Sequence, residues 1–426
     1  MISWSPYTQY FAFNGIFNFT RALYISTYSL YLIEVARLPV AWMLADLLIS
    51  TVVELPTGAF ADMYGRRTSF LAASSLCIFG YCFYASAALP NFWIGGRFAT
   101  ALMGETLLSV GVAFYSGALD AWILDHPKNP KTLTLQELFA LGHGIKNALY
   151  ILGGVIGIAF YAAYPRIPTM YYLAAVIGIG MTIASALFMY EDIPESNGTF
   201  TSDLQLRWVQ MKERMKSAVK LCLTDQNLRH LTLLSSAGVL LLQVVVVFWP
   251  YYLTFIPGTN LSTRGFFWSL SIAWIGAYGS RALGNTFAGS GLSQRRPAMA
   301  VSLAIVVNSC CLCALCLIPF LGSPQTKIQL TIIAVGLYSL VRWGEGAGES
   351  LRSSLLNALL EKEQRATVLS AVNVISLMFS SVAVSAFSII MSCGGNVLII
   401  FGIIGIANFL TLPASRALKH FNHQVI

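Results

Sequence analysis

Polar and apolar positions fall in long blocks along this chain. Apolar runs cover residues 8–33, 39–60, 68–89, 92–118, 134–163, 169–190, 229–255, 263–288, 297–320, 327–350, 366–391 and 394–412, twelve in all. A helix needs about 20 apolar residues to cross the hydrocarbon of a bilayer, and each run reaches or approaches that length, several with enough to tilt. Barrel strands would show alternation of apolar and polar positions over about ten residues. No run alternates in that way, so the pattern predicts helices, which satisfy their backbone polar groups internally. The first run follows "MISWSP" with no basic n-region, and no small-residue cleavage pattern comes after it. It is expected to be a retained helix and not a signal peptide.

Composition sharpens this picture. Of 426 residues 56% are hydrophobic and 10% charged, and the mean hydropathy is +0.68. A water-soluble globule is excluded, and the chain reads as an integral membrane protein. With the N-terminus in the cytoplasm, sixteen basic residues fall in cytoplasmic segments: Arg66, Arg67, Lys128, Lys131, Arg207, Lys212, Arg214, Lys216, Lys220, Arg229, Arg295, Arg296, Lys362, Arg365, Arg416 and Lys419. The outside loops hold four, Arg37, Arg166, Arg264 and Lys327. This positive-inside bias predicts that both termini face the cytoplasm. The net charge of +8 therefore reflects topology and not nucleic-acid binding.

The longest polar stretch, Glu191 to His230, lies between the sixth and seventh runs. It predicts a six-plus-six division: an N-terminal bundle over 1–190, a cytoplasmic linker over 191–228 and a C-terminal bundle over 229–426. Within the linker, Leu204 to Leu223 sets apolar residues at roughly helical spacing beside basic ones. That suits an amphipathic helix along the inner leaflet or a solvated connector. The halves also carry a faint internal repeat. Gly58 and Gly65 after the second span correspond to Gly284 and Gly291 after the eighth, Ala288 stands where Asp62 does, and Arg295 and Arg296 echo Arg66 and Arg67. "LDAWILD" at the end of span four likewise echoes "LNALLE" at the end of span ten. Such duplication is common among transporters.

"GAFADMYGRR", with Gly58, Asp62, Gly65, Arg66 and Arg67, resembles the G-x-x-x-D-x-x-G-R-R signature of the major facilitator superfamily. The span count, the motif's position between spans two and three and the central linker extend the resemblance over the whole chain. It implies an all-α membrane protein whose twelve transmembrane helices form two pseudo-symmetric six-helix bundles. It also implies a conformational latch, in which Asp62 meets the cytoplasmic start of span eleven near Arg365 and Ala366, and Arg67 pairs with Asp120 or Asp125. Glycines there permit close helix approach and a tight turn, and an acid can face a positive helix end.

Ionisable residues inside spans are functional candidates, because an unpaired charge in hydrocarbon costs at least about 3 kcal/mol. Spans three, six, nine and twelve contain no Asp, Glu, Lys, Arg or His. The resemblance puts those four against lipid, spans one, four, seven and ten along a central cavity, and the others beside it. The inventory is Arg21 in span one, Asp46 and Glu54 in two, Arg97 and Glu105 in four, and Glu137, His143 and Lys146 in five. Span eight adds Arg281, and span ten adds Arg342, Glu345, Glu349 and Arg352. Span seven offers Gln243, Trp249, Tyr251 and Tyr252. At about 100° per residue the four charges of "VRWGEGAGESLR" share one helix face. Glu345 could exchange a proton as its arginine partner moves, while Glu349 and Arg352 could hold a gate or a helix end. Arg21 could pair with Glu105, or bind a carboxylate or phosphate of the substrate through its forked donors. His143 and Lys146 could add to such an anion site or pair with Glu54 and Asp46. Arg97 in "GRFATALMGE" resembles the superfamily's fourth-span motif, with Ala101 where glycine is usual. "YILGGVIGIAFY" in span five lacks the proline of the antiporter pattern.

Cys310, Cys311, Cys313 and Cys316 cluster in span nine at spacings suited to packing and not to a metal site. Asn260-Leu261-Ser262 fits a glycosylation triplet, from which nothing follows. No Walker loop, G-x-S-x-G elbow or H-E-x-x-H helix is present, so neither ATP-driven transport nor hydrolysis has residues to carry it. The expectation is a secondary transporter with no cofactor, working as a monomer in the bacterial inner membrane. Its partners are then protons, lipid and a small organic molecule of anionic or zwitterionic character. Proton-coupled efflux of a drug or metabolite is the first reading, suggested by the resemblance of "ELPTGAFADMYGRR" and "RATVLS" to exporter branches. The alternatives are proton-coupled uptake of a polar metabolite and a receptor or scaffold that transports nothing.

Overall fold

The computed structural model describes residues 5–38, 49–54, 65–87, 96–115, 118–125, 135–164, 168–190, 216–256, 264–290, 295–321, 324–360, 362–392 and 396–418, with 57, 89, 209, 213 and 293 as single positions. Among them there is helix and no strand. Among the described residues seven helices are long and apolar enough to cross a membrane. The chain divides into two compact units, Met1–Pro194 and Glu195–Ile426.

In the first unit, span one starts at Pro6, whose ring suits a first helical position, behind Ser5, whose hydroxyl accepts the Thr8 N–H at 3.2 Å. Its regular part is Pro6–Ile25; a break at Ser26 and Thr27 leads to Tyr28–Leu30 and a π-helical turn, Tyr31–Val35. Span three is Arg66–Ala87, span four Arg97–Tyr115 followed by Ala118–Asp125, span five Leu135–Ala163 and span six Thr169–Phe188. Of span two the structure describes the helical stretch 49–54.

The second unit holds span seven, Gln226–Tyr252, span eight, Arg264–Ala288, span nine, Pro297–Leu317, span ten, Lys327–Leu359, span eleven, Lys362–Ser392, and span twelve, Val397–Phe409. Side-chain caps fix two of these starts. Asp225 accepts the N–H groups of Asn227 and Leu228, and Asn396 accepts that of Leu398. Spans ten and eleven run past their apolar cores, to Leu359 and back to Lys362. Hydrophobicity marks where lipid ends, whereas a helix continues into polar sequence until its hydrogen bonding is interrupted.

Packing repeats between the units. Span one lies against spans five and six as span seven lies against eleven and twelve; span three lies against four and six as span nine lies against ten and twelve. Glycine permits one of the tightest approaches, since a Cβ on Gly153 would stand 2.6 Å from the Phe19 carbonyl oxygen across spans one and five. Bulky apolar side chains such as Val176, Ile183 and Leu187 on span six and Val382 and Ile389 on span eleven are exposed, as expected of faces turned to lipid.

The linker's end is part of the second unit's core. The helical stretch 216–224 buries Ala218 and Cys222 with Leu228, Leu231, Leu355, Leu360 and Val368. This portion packs on protein along its buried face, while Leu223 on the same stretch is exposed; 204–208 fall outside the described residues. Ala218→Glu should put an unpaired carboxylate in that core and cost about 2–4 kcal/mol. Thermal unfolding in detergent checks this, with the exposed neighbour Ser217→Glu expected to unfold like wild type.

Candidate functional site

The densest charge in the second unit gathers around span ten. Its glycines let neighbouring helices approach: a Cβ on Gly346 would collide with the backbone carbonyl of Arg281 on span eight, and one on Gly344 with the Asn308 side chain on span nine. Arg281 is thereby brought against the face that carries Arg342 and Glu345. The Arg342 Nη1 donates to Glu345 Oε2. On the other side Arg281 Nε stands 3.6 Å from Glu345 Oε1, and Arg281 Nη2 donates to Glu349 Oε2 at 2.5 Å. One carboxylate is thus shared by two guanidinium groups, one of which already holds a second carboxylate.

Burial grades this chain of charges. Arg342 is 0% exposed, Glu345 3% and the Glu349 side chain 54%. At the buried end the guanidinium carbon of Arg342 lies 5.2 Å from the centre of the Tyr278 ring, in reach of the ring's negative face. Trp249 of span seven stacks on Tyr338 of span ten at 3.9 Å and 5°, one helical turn before Arg342. At the other end Arg352 fits its guanidinium beside Gly348 and over Gly238 of span seven, where a Cβ would collide with it. It lies close enough to Glu349 and Glu345 to feel both charges.

In the first unit Glu105 is buried within the bundle. It accepts hydrogen bonds from the hydroxyls of Tyr84 and Tyr28, the latter at 2.6 Å, and from Ser109 at 3.4 Å. Tyr31 donates to the Tyr84 carbonyl at 2.8 Å. Tyr171 stacks on both Tyr24 and Tyr84 with ring centres 5.5 Å apart. Deeper in the sequence of span one, Asn18 donates to the side-chain oxygen of Asn14 and to the Tyr115 hydroxyl. Tyrosine hydroxyls are thus among the donors to this acid, and tyrosine can serve either the ionised or the protonated form.

Other expected site residues are distributed as follows. Arg21 is half-buried and bears electrostatically on Cys77 and Tyr81 of span three. Arg97 donates to the Ala36 carbonyl at 3.2 Å. Glu54 and Lys146 are half-buried. Arg67 donates to the Ala186 carbonyl at the end of span six at 2.7 Å, and Gly65 has φ 93°, a left-handed backbone that suits glycine. Asp46, Gly58 and Asp62 lie outside the described residues, as do the side chains of Asp120, Asp125, Glu137, His143 and Arg365. The pairing of Arg67 with Asp120 or Asp125 and the meeting of Asp62 with Arg365 thus fall there too.

Sequence reading did not single out the tyrosine cage or the Asn14–Asn18–Tyr115 cluster. A signal existed: Tyr24, Tyr28 and Tyr31 recur at helical spacing on one face, as do Tyr81 and Tyr84.

A family model described as Major Facilitator Superfamily matches residues 10–385, and the chain belongs to that family. Solved structures share the fold. The nucleoside transporter NupG is 13% identical with a TM-score of 0.71, over 97% of this chain and 99% of its own. A POT family transporter in complex with 5-aminolevulinic acid is 12% identical with a TM-score of 0.72, over 98% and 96%. A D-xylose-proton symporter is 12% identical with a TM-score of 0.68, over 99% and 97%. Among curated proteins none matches the sequence. The protein is a multi-pass membrane transporter with the twelve-helix, two-bundle fold, and not an enzyme.

Tyr84→Phe should lower stability by about 1–3 kcal/mol, because it removes a donor to a buried carboxylate. The loss should shrink in a Glu105→Gln background, as groups sharing one hydrogen-bond network do not add. Unfolding temperatures of the two single variants and the double variant measure the coupling.

Proposed function

We propose that this protein is a proton-coupled secondary transporter of a small organic solute, with Glu345 as its coupling carboxylate. The observation that carries the reading is the sharing of Glu345 between Arg342 and Arg281 while Arg281 also holds Glu349. Protonating Glu345 removes the charge that both arginines compete for. Arg281 then has Glu349 as its remaining partner, and Arg342 is released. A proton is in this way converted into a change of pairing between spans eight and ten. In alternating access the two bundles rock about a site near the bilayer midplane, and such a change biases which side is open.

The cytoplasmic latch of Gly58, Asp62, Gly65, Arg66 and Arg67, with Arg365 opposite and Asp120 or Asp125 beside Arg67, would hold one of the two states. Arg21, Asp46, Glu54, Arg97, Glu105, Glu137, His143 and Lys146 are the N-terminal candidates for cavity or coupling roles. The protein would work as a monomer in the inner membrane with both termini in the cytoplasm, in keeping with its basic cytoplasmic segments.

Export is the first reading of direction, from the resemblance of "ELPTGAFADMYGRR" and "RATVLS" to exporter branches. Uptake has an observation of its own. Arg281, Arg342 and Arg352 outnumber Glu345 and Glu349, so protonation adds charge to a cluster already positive. Proton and anionic solute would then favour each other's binding and travel together.

The deciding experiment loads inside-out vesicles with an acid interior, adds drugs, organic acids and amino acids singly, and follows the pH gradient. Compound-triggered proton release that Glu345→Gln abolishes establishes export with that carboxylate as the coupling group. Solute accumulation in right-side-out vesicles under an inward proton gradient, with no release in the first assay, establishes uptake. Proton movement that survives Glu345→Gln removes Glu345 from the role, and no movement in either assay sinks the transport reading.

A further inference from the structure

Arg342 is fully buried, yet among the described residues one edge of its guanidinium meets no acceptor. Nη1 is taken by Glu345, whereas Nε and Nη2 have no hydrogen-bond partner among the described residues. These two nitrogens form the side-on fork of arginine, whose parallel N–H bonds match the two oxygens of one carboxylate. A second donor lies nearby in the fold: the indole Nε1 of Trp249, 2% exposed, is also without a partner among the described residues. Trp249 stacks on Tyr338, one turn from Arg342 on the same helix, so the indole and the guanidinium occupy neighbouring levels of one wall.

From this geometry we infer that the Arg342 fork and the Trp249 indole form a subsite for the carboxylate of a small organic acid. The inference rests on the transport reading in taking the span-ten cluster as solute-facing, and deepens it by naming the solute's charged group. Three features converge. Buried charged donors without acceptors are costly, and a bidentate carboxylate satisfies two of them at once. The cluster's excess of one arginine over its glutamates is neutralised by one carboxylate; a water molecule would satisfy the fork but leave the charge. The Tyr278 ring 5.2 Å from the guanidinium limits desolvated cationic competitors, since its face is already used by Arg342. Full burial means that solute reaches the fork only when the helices part, which alternating access provides.

The test is equilibrium binding to the full chain in nanodiscs, with acetate, succinate and benzoate as probes. Acetamide, succinamide and benzamide serve as uncharged counterparts, and chloride and inorganic phosphate as free anions. At least one carboxylate should bind saturably and its amide about tenfold or more weakly, the factor expected when charge-assisted hydrogen bonds are lost. Arg342→Lys keeps the charge that faces Glu345 but lacks the fork, and should weaken that carboxylate by about tenfold. Trp249→Phe keeps an aromatic ring facing Tyr338 but removes the N–H donor with the five-membered ring, so it should lower the unfolding temperature and weaken the carboxylate severalfold while leaving binding of its amide unchanged.

The inference is overturned if no carboxylate binds, if the amides bind as well, if chloride or phosphate competes as strongly as the best carboxylate, or if both variants bind like wild type. Its failure is separable from that of the transport reading. Carboxylate binding without solute-driven proton movement would leave the subsite and remove the transport role. Proton movement driven only by neutral or cationic solutes would do the reverse.

Discussion

A carboxylate buried in a hydrocarbon-spanning bundle survives as an ion only if positive charge stands beside it, and Glu345 has two such neighbours. Much of the second unit follows from that requirement. Small residues at 344, 346 and 348 let spans eight, nine and ten close on one another, which carries Arg281 to the carboxylate. Tyr278, Tyr338 and Trp249 supply the surrounding wall, excluding water while offering π-faces and a donor. Coulomb attraction between the groups is strengthened because the medium is poor in water, and for the same reason leaving either charge without its partner would cost more than at a surface.

The two units answer one problem in different ways. The register that aligns Leu119 with Leu356 in the repeated "LDAWILD" and "LNALLE" also aligns Glu105 with Arg342. Equivalent positions of the repeat thus carry opposite charges. In the first unit the hydroxyls of Tyr28 and Tyr84 donate to the carboxylate; in the second two guanidinium groups face that of Glu345. Hydroxyl partners tolerate either protonation state of an acid, whereas ion pairs distinguish the states strongly.

Helix faces without charge have a simpler constraint. Spans six, nine and eleven expose valine, leucine and isoleucine, and such surfaces are stable only in lipid. Their interiors are joined by small residues and by occasional polar bonds, such as Asn408 to Ser309 at 3.0 Å between spans twelve and nine. Association between helices in lipid depends on this kind of close packing, since apolar surface gains little by leaving an apolar solvent.

Sequence alone determined the solvent, the helical class and the family, since block hydrophobicity, basic-residue bias and a spaced motif are local properties. It also determined which charges had to be explained, because a charge within an apolar run is visible without coordinates. Helix ends were less legible: span ten continues to Leu359, and the linker's end packs into the core, because capping and burial depend on neighbours distant in the chain. Partnership was decided by tertiary structure. The shared face of Arg342 and Glu345 could be read from helical spacing, but that Arg281 completes the group could not. Nor could the tyrosine cage of Glu105, which draws on spans one, three and four. Hydrophobic period specifies which way a residue faces along its own helix; which residue it meets is fixed only when another helix, rotated and shifted in register, packs against it.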